Sequence, residues 1–194
     1  SGVGKTSEEI KYAISKKILL INAESESEIK QIEKIAKLKK RKVQIGIRLN
    51  PNTDAKTLSQ ISTGKKENKF GVNDKTFFQL VNYCKNSKII DLKCLSVHIG
   101  SQIQDHKPYE KMLKSITKIL NKINYKFEFI DLGGGMGITY KSGEKKLNYK
   151  KYYLAIKKFL DNFNTKIIFE PGRSIIGNTG TLISKVTYIK KSEQ

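Results

Sequence analysis

The sequence predicts an α/β fold: a partial (β/α)8 barrel over residues 1–175, followed by the truncated start of a β domain over residues 176–194. Two observations predict the barrel. Apolar, β-rich runs alternate along the chain with amphipathic helical patterns, as they do in parallel α/β sheets. Four consecutive runs also end in unusual polar or glycine-rich motifs, and a barrel gathers successive strand ends around one mouth. The alternation by itself also fits an open, doubly wound sheet.

The first element is a helix, and it begins with a capping box and not with a phosphate-binding P-loop. Gly4-Lys5-Thr6 matches the end of G-x-x-x-x-G-K-[ST], but the first glycine of that motif would lie before Ser1. Thr6 and Glu9 have the spacing of a capping box, and acidic side chains in the first turn would repel a phosphate. Because the chain lacks an initiator Met and begins inside a loop, we expect a piece of a longer protein.

Five strands follow in order, and an amphipathic helical pattern precedes or follows each strand in the sequence. The predicted strands cover residues 16–25, 42–52, 91–102, 127–135 and 166–174. Helices are expected after residue 25, around 75–85, from about Pro108, and over 149–160.

Two of these helices carry details that the structure can test. The helix after the first strand begins with a second capping box, Ser25 with Glu28, and buries one face formed by Ile29, Ile32, Ile35 and Ala36. The last helix carries aromatic residues at helical spacing, which we assign to the core: Tyr149, Tyr152 and Tyr153. The run 178–191 has turn residues and then a strand-like stretch with no helix behind it, and it is the basis for the predicted β domain.

The charge of the chain is strongly basic, but its composition argues against a nucleic-acid partner. Lys and Arg outnumber Asp and Glu by 38 to 18, which gives a net charge of +20. Only Arg41, Arg48 and Arg173 are arginines, and the lysines are scattered along every helix. Nucleic-acid readers favour clustered arginine, whereas abundant Lys, Ile and Asn reflect A/T-rich codons. A basic nucleic-acid-binding protein is the alternative from another class.

Composition also bears on membranes, metals and compartment. No apolar run approaches the roughly 20 residues that a membrane helix needs, so we expect no membrane partner. Cys84 and Cys94 fit no metal-binding or redox spacing, and we expect no metal. Both are interpreted as small buried side chains in a reducing cytoplasm.

The motifs at the strand ends are suited to binding an anion and a cation. Gly133-Gly134-Gly135 would let a ligand approach exposed backbone N–H groups, and barrels commonly bind phosphate in the loops after late strands. Glu170 follows an apolar run, and a carboxylate emerging from a buried strand needs a partner. That partner is either Arg173 or a cationic ring nitrogen of a ligand. His98 closes another apolar strand and precedes small polar residues.

Four separated motifs, in order, carry a specific resemblance to a known family. They are RLNPNTDAKTLSQISTGKKENKFGV (48–72), SVHIGSQI (96–103), DLGGGMGITY (131–140) and EPGRSIIGNTG (170–180). They resemble the diaminopimelate decarboxylases, a branch of the pyridoxal-phosphate-dependent, alanine-racemase-like barrel family. Ornithine and arginine decarboxylases of that family share versions of the His, glycine and EPGR motifs. The segment 61–71 and the motif HIGSQ favour the diaminopimelate branch. The opening GVGKTSEE resembles the family's loop after its third strand.

The resemblance implies a PLP-binding barrel, a cofactor, a reaction and site residues. The cofactor would be pyridoxal 5'-phosphate and the reaction the conversion of meso-2,6-diaminopimelate, a small amino-acid substrate, to L-lysine and CO2 in a cytoplasmic homodimer. His98 would stack on the cofactor ring, and Glu170 would hydrogen-bond its pyridine nitrogen; these two are the expected catalytic residues. Arg173 would contact the substrate carboxylate. The phosphate would be held by Ser101, Gly133, Gly134, Gly135 and the backbone of Pro171, Gly172 and Arg173.

The resemblance also implies parts that these 194 residues lack. The Schiff-base lysine of the family lies upstream of the position of Ser1, and the catalytic Cys lies downstream of Gln194. We therefore expect the chain alone to be inactive. The family usually has a His just before ISTG, where this chain has Leu58-Ser59-Gln60, so a role for that His does not carry over. An ornithine- or arginine-type decarboxylase on the same barrel is the nearer alternative.

Overall fold

The computed structural model describes residues 1–53 and 70–191. Five strands form within these ranges: β1 (Ile21–Ala23), β2 (Val43–Arg48), β3 (Ile90–Ser96), β4 (Phe129–Asp131) and β5 (Lys166–Ile168). The helices are α1 (Ser7–Ser15), α2 (Glu26–Leu38), α3 (Asp74–Asn86), α4 (Lys107–Lys122), α5 (Tyr149–Leu160) and α6 (Arg173–Ile176). Each predicted strand and helix overlaps one of these elements. All five strands are shorter than predicted, because the predicted ranges include residues of the adjoining loops.

The strands form one parallel sheet in the order β1-β2-β3-β4-β5. Each new strand is added on the same side of the previous one, with Ile45 of β2 paired to Ile21 on one side and to Leu92 on the other. A doubly wound sheet reverses its strand order at a switch point, whereas a barrel never does. The order therefore excludes the doubly wound alternative and confirms the singly wound order of a partial barrel.

The helices cover the sheet, and their inner faces share the buried core with the strands. α2 packs on β1 and β2, α3 packs on β3, and α4 packs against α5. The predicted buried face of α2 is confirmed, since its Ile29, Ile32, Ile35 and Ala36 are all buried. Apolar burial of this kind is the main favourable contribution to folding, and it fixes the strand ends that carry the polar motifs.

The start of α1 confirms the capping box. The Thr6 hydroxyl accepts a hydrogen bond from the backbone N–H of Glu9, and the Glu9 carboxylate accepts one from the N–H of Thr6 at 2.7 Å. The side chains of Thr6 and Glu9 thus accept hydrogen bonds from two backbone N–H groups at the helix start that have no partner within the helix.

The second predicted capping box is only half correct. Ser25 caps α2 by accepting from the N–H of Glu28, at 3.2 Å. The Glu28 carboxylate, however, accepts from the N–H of Glu24 at 2.7 Å and not from that of Ser25. The side chain reaches one residue further, to the N–H at the end of β1.

The aromatic residues of α5 divide into buried and exposed ones. Tyr152 is 4% exposed and stacks on Tyr109 of α4, with ring centroids 4.2 Å apart. Tyr149 and Tyr153 are 54% and 61% exposed, so their assignment to the core is wrong. The buried face of α5, which also holds Ile156, does not extend to Tyr153, because adjacent residues of a helix lie roughly 100° apart around its axis.

Residues after α6 form neither helix nor strand up to residue 191, and their apolar side chains are exposed. Leu182, Ile183 and Tyr188 are each at least 90% exposed. The strand-like run therefore finds no strand partner within the described residues. The start of a β domain over 176–194 stays a prediction. In residues 1–53 and 70–191, no helix is long and apolar enough to cross a bilayer.

Both cysteines are buried free thiols, as predicted. Cys84 lies on α3, where burial and the nearby Glu33 carboxylate raise the pKa of its thiol to about 12. Burial, chiefly, also raises the pKa of the Cys94 thiol on β3. The thiolate is the reactive form, so neither side chain is set up as a nucleophile.

We expect both thiols to resist alkylation in the native protein at pH 7.5. Iodoacetamide treatment followed by peptide mass spectrometry should find Cys84 and Cys94 unmodified. The same treatment in guanidinium chloride is the control and should modify both. Rapid native labelling of either residue would contradict the packing described here.

Candidate functional site

His98 lies at the centre of a contact between three consecutive strand ends. It follows β3 by two residues, and its Nδ1 accepts a hydrogen bond from the backbone N–H of Gly134, after β4, at 3.2 Å. Its backbone oxygen accepts a hydrogen bond from Nη2 of Arg48, at the end of β2, at 3.4 Å. Because Nδ1 is an acceptor, the neutral ring carries its proton on Nε2.

The environment of His98 keeps its ring uncharged. Burial and, second, the positive charge of Arg48 lower the pKa of His98 to about 4, while the Glu24 carboxylate opposes the shift. At neutral pH the side chain is therefore a neutral aromatic ring with one acceptor already used. Such a ring suits stacking better than it suits ionic binding.

Arg48 is neutralised within the protein. Its Nη1 lies 2.6 Å from Oε1 of Glu24, and both side chains are less than 10% exposed. The other carboxylate oxygen of Glu24 accepts from the N–H of Gly71 at 3.0 Å, and the guanidinium lies 5.1 Å from the ring centroid of Phe70. A buried ion pair with further hydrogen bonds is stable only as a complete set. Sequence analysis placed Arg48 at a strand end but missed Glu24.

The glycine run lies between the loop of His98 and the loop of Glu170. Gly133 has a φ of +65°, and a β-carbon there would lie 2.6 Å from Nδ1 of His98 and 2.7 Å from the backbone oxygen of Val97. A β-carbon on Gly134 would overlap the backbone oxygen of Glu170. The N–H of Glu170 donates to the backbone oxygen of Gly133 at 2.8 Å. The absence of side chains at Gly133 and Gly134 therefore lets the backbones of Val97 and Glu170 pack against the run. The glycines serve this close packing in addition to forming a turn.

The next part of the run joins the loop after β4 to the loop after β3, further from the sheet. A β-carbon on Gly135 would overlap the backbone oxygen of Gly100. The N–H of Ile103 donates to the oxygen of Gly135 at 2.8 Å, and the N–H of Gly137 donates to the oxygen of Ile103 at 3.0 Å. The loops after β3 and β4 are thus held together by backbone hydrogen bonds on both sides of Ile103.

A buried carboxylate supports the glycine run from within the sheet. Asp131 is fully buried; its Oδ1 accepts from the N–H of Gly133 at 2.8 Å, and its Oδ2 accepts from Nδ2 of Asn22 at 2.6 Å and from Oγ of Ser96 at 3.3 Å. Burial raises the pKa of this carboxyl, the charge of Glu170 adds to the rise, and the hydrogen bonds oppose it. Sequence analysis missed Asp131, although an Asp two residues before a glycine is a signal for a side-chain-capped turn.

Glu170 and Arg173 do not pair with each other. The Glu170 side chain is 37% exposed, and its Oε1 lies 4.0 Å from the amino group of Ser1. Arg173 instead donates from Nη1 to Oε1 of Gln102 at 3.3 Å, and its guanidinium lies 6.0 Å from the ring centroid of Tyr140. The expectation of a carboxylate emerging from a buried strand is wrong, because β5 is the last strand of the described sheet and is only partly covered.

The predicted site residues lie in three consecutive loops that contact one another. They are His98 and Ser101 after β3, Gly133, Gly134 and Gly135 after β4, and Glu170, Pro171, Gly172 and Arg173 after β5. The stretch Leu58-Ser59-Gln60 and most of the motif at 48–72 lie outside the described residues. In the part of the chain that is described, no group of three His, Cys, Asp or Glu side chains is arranged to hold a metal ion.

The donors at this mouth fit the phosphate of a cofactor such as pyridoxal phosphate. Among the residues described, the backbone N–H groups of Gly135, Gly172 and Arg173 donate to no protein acceptor. Backbone N–H groups in glycine-rich turns form anion-binding concavities. The neutral ring of His98 accepts a hydrogen bond from the N–H of Gly134, directly before Gly135. These residues therefore offer N–H donors for an anionic group beside a neutral aromatic ring.

The comparison with protein families decides the relationship. Residues 1–177 match the pyridoxal binding domain of the pyridoxal-dependent decarboxylases. The chain belongs to this family. The confirmed fold class is accordingly its (β/α) barrel, of which these residues form a part.

Two curated relatives bear the name diaminopimelate decarboxylase. Diaminopimelate decarboxylase of Helicobacter pylori is 41% identical over 196 residues, which cover 100% of this chain and 48% of that protein. The enzyme of the same name from Aquifex aeolicus is 36% identical and is covered to 46%. The chain thus spans about half the length of these curated relatives.

Solved structures agree with this relationship. The structure of Helicobacter pylori diaminopimelate decarboxylase complexed with L-lysine is 40% identical, with a TM-score of 0.86 over 90% of this chain and 45% of that one. The arginine decarboxylase of Paramecium bursaria Chlorella virus bound to agmatine is 25% identical, with a TM-score of 0.65 over 88% of this chain and 44% of that one.

We expect the imidazole of His98 to stay neutral from neutral pH down to about pH 5, since its pKa of about 4 lies well below the ordinary 6.5. In the unfolded chain it takes up a proton near pH 6.5, so its contribution to stability is complete above that pH and is lost as the pH falls toward 4. NMR titration of ¹³C-labelled histidine should show this, with His98→Gln identifying the signal. A midpoint near 6.5 for His98 would contradict the buried, Arg48-facing position.

Proposed function

We propose that the protein containing this chain is a pyridoxal-phosphate-dependent carboxy-lyase that converts meso-2,6-diaminopimelate to L-lysine and CO2, as a step of lysine biosynthesis. One observation carries the proposal: a neutral His98 ring, a glycine run and the Glu170 loop meet at three consecutive strand ends. The relatives that are 36–41% identical and bear the name diaminopimelate decarboxylase support the choice of substrate.

His98 and the glycine run would hold the cofactor. The neutral ring of His98 provides a flat aromatic face for the pyridine ring. The N–H groups of Gly135, Gly172 and Arg173 would bind the phosphate, with Ser101, Gly133, Gly134 and Pro171 lining it. The bound cofactor supplies an electron sink for the bond pair left when CO2 departs. The tight packing of the glycines fixes these donors before the ligand arrives, which lowers the cost of binding.

Glu170 would hold a proton on the pyridine nitrogen. A carboxylate accepts a hydrogen bond from a protonated ring nitrogen and stabilises its positive charge. The N–H of Glu170 donates a hydrogen bond to the backbone oxygen of Gly133. This bond fixes the position of the backbone from which the carboxylate extends. The carboxylate is 37% exposed and is not paired with Arg173. Its Oε1 lies 4.0 Å from the amino group of Ser1, a cationic contact whose place a cationic ligand atom would take.

Arg173 would bind a carboxylate of the amino-acid substrate. A guanidinium fork matches the geometry of a carboxylate and can bind it through two hydrogen bonds. Unlike Arg48, Arg173 has no carboxylate partner within 4.0 Å among the described residues. Its charge therefore remains available for the substrate.

The remaining assignments concern the whole protein. We infer that the lysine that binds the cofactor and the catalytic Cys come from outside these 194 residues, that the enzyme is a cytoplasmic homodimer, and that the present chain alone is inactive. An ornithine- or arginine-type activity is the alternative within the family. The lower identity to the viral arginine decarboxylase, 25% against 40%, favours diaminopimelate. Carbon dioxide release from diaminopimelate, ornithine and arginine, compared side by side, separates these possibilities.

In the full-length protein, Glu170→Gln should retain the cofactor but slow decarboxylation by about 10²-fold or more, the scale on which preorganised electrostatic groups act. A neutral amide cannot hold the proton on the ring nitrogen. Cofactor content by absorbance and CO2 release should be measured together.

Glu128→Gln is the matched control for this substitution. Glu128 directly precedes β4, at the amino end of the strand and not at the carboxyl ends that carry the site. Its side chain is 41% exposed against 37% for Glu170, and it forms ion pairs with Lys93 and Lys166. Its turnover should equal that of the wild type. Normal turnover in the Glu170 variant would refute the role of this carboxylate.

A further inference from the structure

Gln102 joins the loops after three consecutive strands. Its Oε1 accepts hydrogen bonds from the N–H of Ile138 at 3.2 Å and from Nη1 of Arg173 at 3.3 Å. Its Nε2 donates to the backbone oxygen of Ile138 at 2.5 Å. One amide side chain in the β3–α4 loop thus contacts both the β4–α5 loop and the residue that begins α6.

The hydrogen bonds to Ile138 fix which atom of the amide faces Arg173. Ile138 presents one N–H donor and one oxygen acceptor to the side chain of Gln102. Only one orientation of the amide satisfies both, since the rotated amide would set donor against donor and acceptor against acceptor. The oxygen is therefore held toward the guanidinium of Arg173.

The backbone at Gln102 is also unusual. Its φ is +59°, in the left-handed region that is unfavourable for residues other than glycine. Directly after it, Ile103 exchanges backbone hydrogen bonds with Gly135 and Gly137. The loop accepts this conformation because the side chain and the next residue are both bound to the β4–α5 loop. Strained residues of this kind concentrate at functional sites.

The acceptor that Gln102 offers to Arg173 is neutral, and this decides what it can do. Arg48 is paired with Glu24, and its charge is cancelled. Arg173 is oriented by an amide oxygen, which adds no negative charge, and no carboxylate lies within 4.0 Å of it in residues 1–53 and 70–191. A guanidinium held in this way is aimed but not neutralised.

We propose that Gln102 is a positioning residue that aims the guanidinium of Arg173 at the carboxylate of the amino-acid substrate. The inference rests on the proposed function, because it takes Arg173 as the substrate-carboxylate ligand. It predicts that loss of the amide weakens substrate binding and leaves cofactor binding intact, since the side chain of Gln102 contacts the guanidinium of Arg173 and not the backbone N–H groups that would bind the phosphate.

The test compares Gln102→Ala and Gln102→Met with Gln104→Ala in the full-length, cofactor-loaded protein. The Met variant keeps the length of the side chain and guards against a folding defect. Gln104 is the matched control, because its Nε2 also donates to the oxygen of Ile138, at 3.1 Å, but does not contact Arg173. Both Gln102 variants should raise the KM for meso-diaminopimelate about tenfold to hundredfold, the loss expected for a hydrogen bond to a charged group.

The kinetic pattern distinguishes positioning from general disruption. The cofactor Kd of all variants and the KM of Gln104→Ala should stay within about twofold of wild type. In an Arg173→Ala background, adding Gln102→Ala should change kcat/KM by less than about twofold, because Gln102 acts through Arg173. An unchanged KM in both Gln102 variants, or a full additional loss in the double variant, would overturn the inference.

A crystal structure of Gln102→Met separates this inference from the proposed function. Arg173 should leave its wild-type position while the glycine run stays in place. If the wild type does not release CO2 from diaminopimelate, the proposed function fails and the position of Arg173 still decides the positioning role. If turnover is present and Arg173 has not moved, the inference is wrong and the proposed function stands.

Discussion

The candidate site depends on the close approach of backbone to backbone at Gly133 and Gly134. Side chains at these positions would collide with His98 on one side and with the backbone of Glu170 on the other. The contact brings the ends of β3, β4 and β5 together, and the buried Asp131 holds it from the interior. The ring, the N–H donors and the carboxylate of the site keep their relative positions because this contact exists.

Electrostatics assigns different roles to groups that look alike in the sequence. Arg48 and Arg173 both stand at strand ends, but the first is cancelled by Glu24 and the second is oriented by a neutral amide. The positive charge of Arg48 helps to keep His98 neutral. Burial, with a smaller contribution from Arg48, thus keeps the ring of His98 neutral, while no carboxylate lies within 4.0 Å of Arg173 among the described residues.

Local patterns predicted the elements, and long-range contacts explain what they could not predict. Alternating strand and helix periodicity located every strand, and the motifs at successive strand ends converge because parallel strands share one direction. The same periodicity placed Tyr153 in the core, since it does not reveal how wide the buried stripe of a helix is. The contacts of Glu24 with Arg48 and of Gln102 with Arg173 were not predicted, because the partners lie 24 and 71 residues apart and no spacing rule links them.

The most direct test of the account is the affinity of the full-length apoprotein for pyridoxal phosphate after Gly134→Ala, with Gly180→Ala as the control. Gly134 has no room for a β-carbon, whereas nothing lies within 4 Å of one at Gly180. The account predicts that Gly134→Ala weakens cofactor binding by about tenfold or more, because the phosphate donors lose their fixed positions, and that Gly180→Ala does not. Equal affinity in both variants and the wild type would contradict the claim that the glycine contact builds the site.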